Sequence, residues 1–296
     1  MATHSSQLLK ASVPAAAEAQ VCPLCGCSQA RRIRTEKDGT LVRCAECSFL
    51  HVVPRPTAEE LTALYDDEYF AGHDLASCLN FRRPVFAQCL AKLGKLRPQR
   101  GTLLDVGCGT GEFVEDARAA GWNAVGIESS RPAAEFAYEQ KHLPVHHATL
   151  DHVPFPSASF SAVTLLDVLE HLRDPRQELV AVRNLLRPDG IAVVRVPNTV
   201  FHLARTRVCD LLHVADEGLQ MRYHLNHFTP RTLAGLLRRV GFEIISVDVG
   251  APETLAHAAW ATPSAKRYYV RAATALHALT GVNLGNIMVA YARKVA

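Results

Sequence analysis

Four cysteines near the start of the chain have the residue type and spacing that bind a metal ion. They form two C-x-x-C pairs, Cys22–Cys25 and Cys44–Cys47, separated by an interval within the range of roughly 15 to 20 residues typical of four-thiolate zinc sites. The stretch between the pairs predicts two short strands around a turn at Lys37–Gly39. The pattern predicts a zinc ribbon, with Cys27 as the alternative ligand and a redox pair or a chance pairing as the other interpretations. Four protein ligands leave no open position, so we expect the Zn2+ to be structural.

A second set of residues predicts a ligand site in the middle of the chain. The segment LLDVGCGTG places Asp105 before Gly107, Gly109 and Gly111 at a predicted strand-to-helix turn. Glycine lets the backbone approach a ligand closely, but the spacing lacks the G-x-x-G step of a dinucleotide fingerprint. Asp105 would repel a pyrophosphate and attract a cationic amine or sulfonium. Glu128 ends the next predicted strand, where an acidic side chain can accept hydrogen bonds from ribose hydroxyls.

Three histidines are candidates for acid–base chemistry, because imidazole titrates near neutral pH. His171 follows a predicted strand in DVLEH, and His224 and His227 lie in RYHLNHFTP before a helix predicted to begin at Thr229–Pro230. Each could instead form a structural hydrogen bond. The spacing of His224 and His227 also allows a metal pair, but no neighbouring carboxylate or thiol in the sequence completes one. Solvent exposure is expected for the histidines around the third predicted strand of the alternating region, which are His142, His146, His147 and His152.

The residues around these candidates predict the elements that position them. From Thr102 onward, short apolar runs alternate with helical patterns, which predicts an α/β fold with a parallel sheet covered on both faces. Ligands bind such sheets at the carboxyl ends of the strands, where Asp105, Glu128 and His171 lie. Insertions at 198–229 and 252–284 are expected to carry specificity. The second contains Arg267, Tyr268, Tyr269 and Arg271, for which the alternatives are a covering helix and a substrate contact.

The front part of the chain predicts smaller units. We expect a disordered tail over 1–20, the zinc ribbon over 21–54, a helical linker or lid over 55–100, and one large domain over 101–296. Thr57 and Glu60 predict a capping box that opens a helix running to about Tyr65. The segment YDDEYF at 65–70 could pack as a linker or close over a ligand. The spacing of apolar residues predicts an amphipathic helix over 80–96.

Composition excludes several classes of protein. The 296 residues are 48% hydrophobic and 21% charged, with a formal net charge of +3, which is typical of a soluble globular protein and far from a strongly basic nucleic-acid binder. No uncharged apolar run is long enough for a membrane span, and the first 20 residues lack a secretory apolar core. We therefore expect a cytoplasmic protein without a membrane partner, and leave its oligomeric state open.

From about residue 80 to the end, the sequence resembles the class I S-adenosylmethionine-dependent methyltransferases. LLDVGCGTG is similar to the first motif of that family, and the segments GIE, PFPSASFSAVTLLDVLEHLRDP, LLRPDGIAVVRVPN and LRRVGFEII are similar to later strands. The resemblance implies a Rossmann-like seven-stranded sheet of order 3-2-1-4-5-7-6, with S-adenosyl-L-methionine bound by Asp105, the three glycines and Glu128. It also implies adenine contacts at Leu150 and Asp151, and a place for Asp167 beside the methionine part.

The front half resembles the zinc-ribbon leader of one branch of these enzymes, often found with sugar or natural-product pathways. The resemblance favours O-methylation of a sugar or another small-molecule or glycan hydroxyl. One alternative is an RNA methyltransferase that grips RNA through basic residues of the ribbon, and the other is a non-catalytic module that binds the cofactor. The basic residues are Arg31, Arg32, Arg34, Lys37 and Arg43.

Overall fold

The computed structural model describes residues 21–63, 82–214, 216, 218–251 and 263–295. Its first unit is the cysteine module, residues 21–54, which contains three antiparallel strands: β1 (Ala30–Glu36), β2 (Gly39–Cys44) and β3 (Leu50–Val53). The strands β1 and β2 meet at the predicted turn, since Glu36 pairs with Gly39.

The sheet of the cysteine module has a fourth strand that the sequence did not predict. This strand, β9 (Asn226–His227), lies in the long segment between the fifth strand of the large domain and the helix that begins at Pro230, and it pairs antiparallel with β3. Leu50 lies opposite His227 and His51 opposite Asn226. Two segments far apart in sequence therefore share one sheet.

The large domain is built on a seven-stranded sheet. Its strands are β4 (Thr102–Val106), β5 (Asn123–Glu128), β6 (Val145–His147), β7 (Phe160–Leu166), β8 (Leu186–Pro197), β10 (Phe242–Val249) and β11 (Ile287–Lys294). Their order is β6-β5-β4-β7-β8-β11-β10, with β11 antiparallel to both of its neighbours and the other pairs parallel. Ranked along the chain, this is the order 3-2-1-4-5-7-6 that the resemblance implies, so the predicted fold is confirmed.

Helices cover both faces of the sheet, because each turns one apolar stripe inward. One face holds α2 (Arg83–Leu96), α3 (Glu112–Ala119) and α4 (Arg131–Glu135), which continues as a π-turn to Gln140. The other face holds α5 (Pro175–Leu185) and α7 (Pro230–Arg239). The helix start predicted at Thr229–Pro230 is observed, since Thr229 closes a capping box on α7, and Asp174 caps α5.

Three further helices lie outside these two layers. They are α1 (Ala58–Ala63), α6 (Thr199–Leu212) and α8 (Pro263–Thr280). The capping box predicted for α1 is observed, because Thr57 Oγ1 accepts from the Glu60 N–H and the Glu60 carboxylate accepts from the Thr57 N–H. No helix within the described residues is long and apolar enough to cross a membrane. The predicted tail, the 65–70 segment and the start of the second insertion lie outside the described residues.

Candidate functional site

The four paired cysteines of the cysteine module converge on one point. Their Sγ atoms all lie within 4.8 Å of one another, with 3.5 Å between Cys22 and Cys47 and between Cys25 and Cys44. A tetrahedral zinc ion with Zn–S bonds of about 2.3 Å holds its sulfurs about 3.8 Å apart, so the four thiols fit this ion. Cys27, the alternative ligand, instead accepts a hydrogen bond from the Gln29 N–H at 3.4 Å.

The two C-x-x-C turns of the module have the same backbone form. In the first, the Gly26 N–H donates to the Cys22 carbonyl at 2.9 Å, and in the second, the Ser48 N–H donates to the Cys44 carbonyl at 3.2 Å. The residue after each pair adopts a left-handed conformation, with φ of 77° at Gly26 and 60° at Ser48. This repeated turn is what aims two sulfurs from each pair at a common centre.

The glycine-rich turn after β4 forms an open cradle. Gly107 and Gly109 have φ of 65° and 56°, a conformation that side chains disfavour. A Cβ on Gly109 would meet no atom within 4 Å, whereas one on Gly107 would lie 2.6 Å from Val168. Ligand space therefore opens over Gly109, while Gly107 packs against the loop that follows β7.

Glu128 is held beside this turn by backbone donors. One of its carboxylate oxygens accepts from the Gly109 N–H at 2.9 Å, and the other accepts from the Ser130 N–H at 2.8 Å and from the Ser129 hydroxyl at 3.3 Å. The side chain is buried at the carboxyl end of β5. A carboxylate has about four acceptor directions, so one stays open toward a ligand over the turn.

Asp105 lies beneath the same turn and is almost completely buried. It accepts a hydrogen bond from the Thr164 hydroxyl at 2.6 Å. Burial raises its pKa to about 7, because the carboxylate form loses its hydration, and the Thr164 bond offsets only part of that effect. Asp105 therefore changes charge in the physiological range, where a bound cation would favour its ionised form.

A cavity of about 390 Å³ opens at the carboxyl ends of β7 and β8 and is covered by α6 and the segment that follows it. All three predicted catalytic histidines, His171, His224 and His227, line it. The rings of His171 and His224 lie 5.0 Å apart between centroids, and those of His224 and His227 lie 6.4 Å apart. Asp167 lines the cavity and directly precedes Val168, whose side chain lies against Gly107, so the loop after β7 connects the cavity to the cradle.

The histidines in the cavity are held neutral by burial. Burial lowers the pKa of His227 to about 4 and moves the pKa values of His171 and His224 below their ordinary value. His171 Nδ1 lies 2.9 Å from the Tyr223 carbonyl oxygen, so Nδ1 carries the proton and Nε2 keeps its lone pair. A neutral imidazole of this kind can accept a proton.

Asp167 forms the floor of the cavity between two arginines. Its carboxylate pairs with both Arg82 and Arg195, and Arg82 also donates to the Leu166 carbonyl at 3.0 Å. Burial alone would raise the pKa of Asp167, but the two guanidinium groups outweigh it and hold that pKa below its ordinary value. Arg195 is 1% exposed near the carboxyl end of β8, so its charge depends on this pairing.

Glu170, Arg195 and His202 are among the cavity residues that escaped sequence reasoning. Glu170 Oε2 is buried without a hydrogen-bond partner among the described residues, and burial together with Asp167 raises the pKa of Glu170 well above its ordinary value. Glu170, His171 and His224 offer ligand atoms within 4.8 Å of one another. The structure places the Glu170 carboxylate beside His224 from a distant segment, in a set that contains His171 and not the His224–His227 pair considered from the sequence.

Other predicted residues lie apart from the cavity. On the short turn after β6, Leu150 is buried and Asp151 is exposed. His142, His146, His147 and His152 are exposed, as expected. Among the basic residues of the cysteine module, Arg34 is paired with Glu36 and Asp210, whereas Arg31 and Arg43 are exposed partners across β1 and β2. In the second insertion, the Tyr269 hydroxyl donates to the Leu284 carbonyl.

Comparison with known proteins places this arrangement in a family. Residues 79–247 match the family model described as a methyltransferase domain. A ubiquinone biosynthesis O-methyltransferase of Ruegeria pomeroyi is 30% identical over 161 residues, which are 51% of this chain and 64% of that protein. A probable S-adenosylmethionine-dependent methyltransferase of Mycolicibacterium smegmatis is 26% identical over 172 residues, 53% of this chain and 66% of that protein. The chain thus spans less than two thirds of the length of these curated relatives.

A solved structure gives the same fold. The 1,6-didemethyltoxoflavin-N1-methyltransferase of Burkholderia thailandensis, with 1,6-didemethyltoxoflavin and S-adenosylhomocysteine bound, is 16% identical, and the match covers 90% of this chain and 100% of that chain with a TM-score of 0.54. The family model spans more than half of the present sequence, including the glycine-rich turn and every strand from β4 to β8. The chain therefore belongs to the methyltransferase domain family.

Proposed function

We propose that this chain transfers a methyl group from S-adenosylmethionine to a hydroxyl of a sugar or another small molecule. The observation that carries the proposal is the cavity in which His171, His224 and His227 converge beside the glycine-rich turn. Supporting it, the Ruegeria pomeroyi relative is named as an O-methyltransferase and the Burkholderia thailandensis structure holds S-adenosylhomocysteine. When bound, S-adenosylmethionine supplies a methyl carbon activated by its sulfonium.

In this proposal, the residues of the cradle hold the cofactor. The Glu128 carboxylate, oriented by the N–H groups of Gly109 and Ser130, accepts a ribose hydroxyl in its open direction. Asp105 supplies negative charge beneath the turn. Leu150 and Asp151 contact the adenine, and Asp167 lies near the methionine part. The open space over Gly109 fits a ligand that lies against the backbone.

The cavity residues bind and orient the acceptor. Holding the acceptor oxygen in line with the methyl carbon in a water-poor cavity supplies much of the rate enhancement. The hydroxyl proton must leave as the bond forms, and in a neutral His171 the unprotonated nitrogen that would take it is Nε2, because Nδ1 donates to the Tyr223 carbonyl. His224 and His227 supply further neutral hydrogen-bonding groups for a hydroxyl-rich acceptor.

A divalent cation is a second way to activate the same hydroxyl. Glu170, His171 and His224 form a carboxylate and two-imidazole set that fits a divalent ion, and the unpartnered Glu170 Oε2 favours this candidate. Such an ion would lower the pKa of a bound hydroxyl. Removal of metal by a chelator distinguishes the two mechanisms, provided that zinc in the four-cysteine site is measured on the same sample.

The cysteine module is proposed to hold a structural zinc ion in the four-thiolate site. The other interpretation of the module, a grip on RNA, predicts binding that weakens steeply with salt. Arg34 is occupied by Glu36 and Asp210, which reduces the basic surface available for such binding. RNA binding is therefore an arm of the test below, not the favoured function.

Calorimetric titration with S-adenosylmethionine and S-adenosylhomocysteine, followed by transfer of labelled methyl to a panel of sugar nucleotides, phenols and RNA, tests the proposal. Micromolar cofactor binding with label in a small hydroxyl compound is the expected result. Label in RNA alone would replace the favoured function with the RNA alternative. Cofactor binding without transfer to any acceptor would favour the non-catalytic module, and absence of cofactor binding by folded, zinc-loaded protein would refute the proposed function.

A further inference from the structure

The loop after β7 and the segment leading into β9 form two walls of the cavity. Glu170 and His171 belong to the first wall, and His224 and His227 belong to the second. They are joined by several hydrogen bonds: the Asn226 N–H donates to the Glu170 carbonyl at 2.9 Å, and His171 donates to the Tyr223 carbonyl. The spacing of the candidate catalytic groups is therefore set where these two segments meet.

Asn226 fastens this junction with both ends of its side chain. Its amide nitrogen donates to the carbonyls of Leu169 and Leu172 at 3.1 and 2.6 Å, and its amide oxygen accepts from an Arg55 guanidinium nitrogen at 3.1 Å. Asn226 is 2% exposed, so these bonds are shielded from water. If the Asn226 amide were turned over, its NH2 group would face the Arg55 N–H donor, so only the observed orientation satisfies both groups.

Arg55 reaches this junction from the cysteine module side. It follows β3, and its guanidinium donates to the carbonyls of Leu172, Arg173 and Leu225 as well as to the Asn226 amide oxygen. The Leu225 carbonyl also accepts from the Val52 N–H of β3 at 3.0 Å. One guanidinium group thus binds both cavity walls at once, with Nη2 bonded to both walls and Nη1 to the second.

Among the described residues, the hydrogen bonds of the Arg55 guanidinium all go to uncharged oxygens, and the Asp174 carboxylate favours its charged form only through space. Arg55 is half-buried, and this loss of water lowers its pKa to about 10. A buried cation is costly unless its donors are used. Its cost is offset here by four acceptors on the two segments that carry the histidines.

We propose that Arg55 is a positioning residue that couples the cysteine module to the acceptor cavity. It holds the loop that carries Glu170 and His171 against the segment that carries His224 and His227. Arg55 does not line the cavity, and it acts through Asn226 and the Leu172 and Arg173 carbonyls. The catalytic meaning of this coupling rests on the proposed function. The coupling itself predicts which ring nitrogen of His171 carries the proton, and this can be measured without any methyl transfer.

The test compares Arg55→Met with wild type and with Arg187→Met. Met keeps the apolar stem and removes the fork, and Arg187 is exposed at the opposite end of β8 from the cavity. Nitrogen NMR of histidine-labelled protein reports which ring nitrogen of His171 carries the proton, with His171→Gln used for assignment. Zinc content and S-adenosylhomocysteine affinity are recorded on the same samples.

In Arg55→Met we expect the His171 signals to lose the fixed Nδ1–H form, while zinc content and S-adenosylhomocysteine affinity stay within about twofold of wild type. With an acceptor identified, kcat is expected to fall about 10- to 100-fold through misplacement of the reacting groups, and the KM for S-adenosylmethionine to stay unchanged. In Arg187→Met all readouts remain those of wild type. His171 signals identical to wild type in Arg55→Met overturn the proposal.

If Arg55→Met loses zinc and cofactor binding together, Arg55→Lys decides the matter, because it keeps the charge but places its three N–H donors on a single nitrogen and loses the planar fork. Altered His171 signals in zinc-loaded, cofactor-binding Arg55→Lys support the positioning role. Unaltered His171 signals, or loss of zinc and cofactor binding in this variant too, show that Arg55 is a folding residue only. If the His171 signals depend on Arg55 as expected but the wild-type protein transfers no methyl group, the proposed function is refuted and the coupling through Arg55 still holds.

Discussion

Glu128 offers the sharpest test of the proposed cofactor site. Its carboxylate accepts three hydrogen bonds, from the N–H groups of Gly109 and Ser130 and from the Ser129 hydroxyl, and keeps one acceptor direction for a ribose hydroxyl. In Glu128→Gln one oxygen becomes an NH2 group, which either faces a backbone N–H or occupies the ribose direction. A hydrogen bond to a charged group contributes about 1.5–3 kcal/mol. We therefore expect S-adenosylhomocysteine affinity to fall about 10- to 100-fold.

The assay is calorimetric titration of Glu128→Gln, with Glu139→Gln as the matched control because Glu139 is exposed on the π-turn after α4. Thermal unfolding without ligand separates damage to the turn from loss of the ribose contact. The control is expected to bind as wild type does. A folded Glu128→Gln protein with affinity within twofold of wild type would refute the ribose assignment.

Three other perturbations test the remaining groups. Because burial raises the Asp105 pKa to about 7, the ionised fraction of Asp105 increases as pH rises, and S-adenosylmethionine affinity should increase up to about tenfold from pH 6 to 8. Asp105→Asn should abolish this increase. A pH dependence of affinity that survives in Asp105→Asn would contradict the assignment. If the His171 imidazole is the base, His171→Gln should lower turnover by about 10²- to 10⁴-fold and leave cofactor affinity unchanged. Equal losses of turnover and cofactor affinity would indicate a structural role. Cys44→Ser should release zinc and lower the melting temperature of the cysteine module. Cys209 lies outside the thiol cluster, so Cys209→Ser should change neither zinc content nor melting temperature. Retained zinc in Cys44→Ser would show that the ligands were misassigned.

Much of the fold could be predicted because its signals are local. The alternation of apolar strands and amphipathic helices from Thr102 gives the α/β class, and the helix caps at Asp174 and Thr229 occur where their residue types predict them. The order of the seven strands came from the resemblance, because periodicity alone does not reveal which strands are neighbours. The two C-x-x-C turns were equally local, since each pair closes its own backbone turn.

The candidate site was predicted only in part. The glycine-rich turn and Glu128 belong to adjacent strand ends, so topology brings them together once the sheet is assumed. The grouping of His171 with His224 depends on a long segment that folds back over the sheet, and the sequence offered these residues only as separate candidates. Glu170 and Arg195 carried no signal, because a buried charge is recognisable only from the groups that surround it.

The sequence by itself determined the secondary structure, the thiol cluster and the residue types at the strand ends, because these follow from periodicity, chirality and the spacing of a few neighbours. Only the tertiary structure decided that β9 joins the sheet of the cysteine module, that Asp167 is shared by Arg82 and Arg195, and that Arg55 ties both walls of the cavity together. These contacts join residues far apart along the chain. Their stability comes from buried polar groups that must find partners, a requirement that the packing of the whole molecule satisfies and no local pattern encodes.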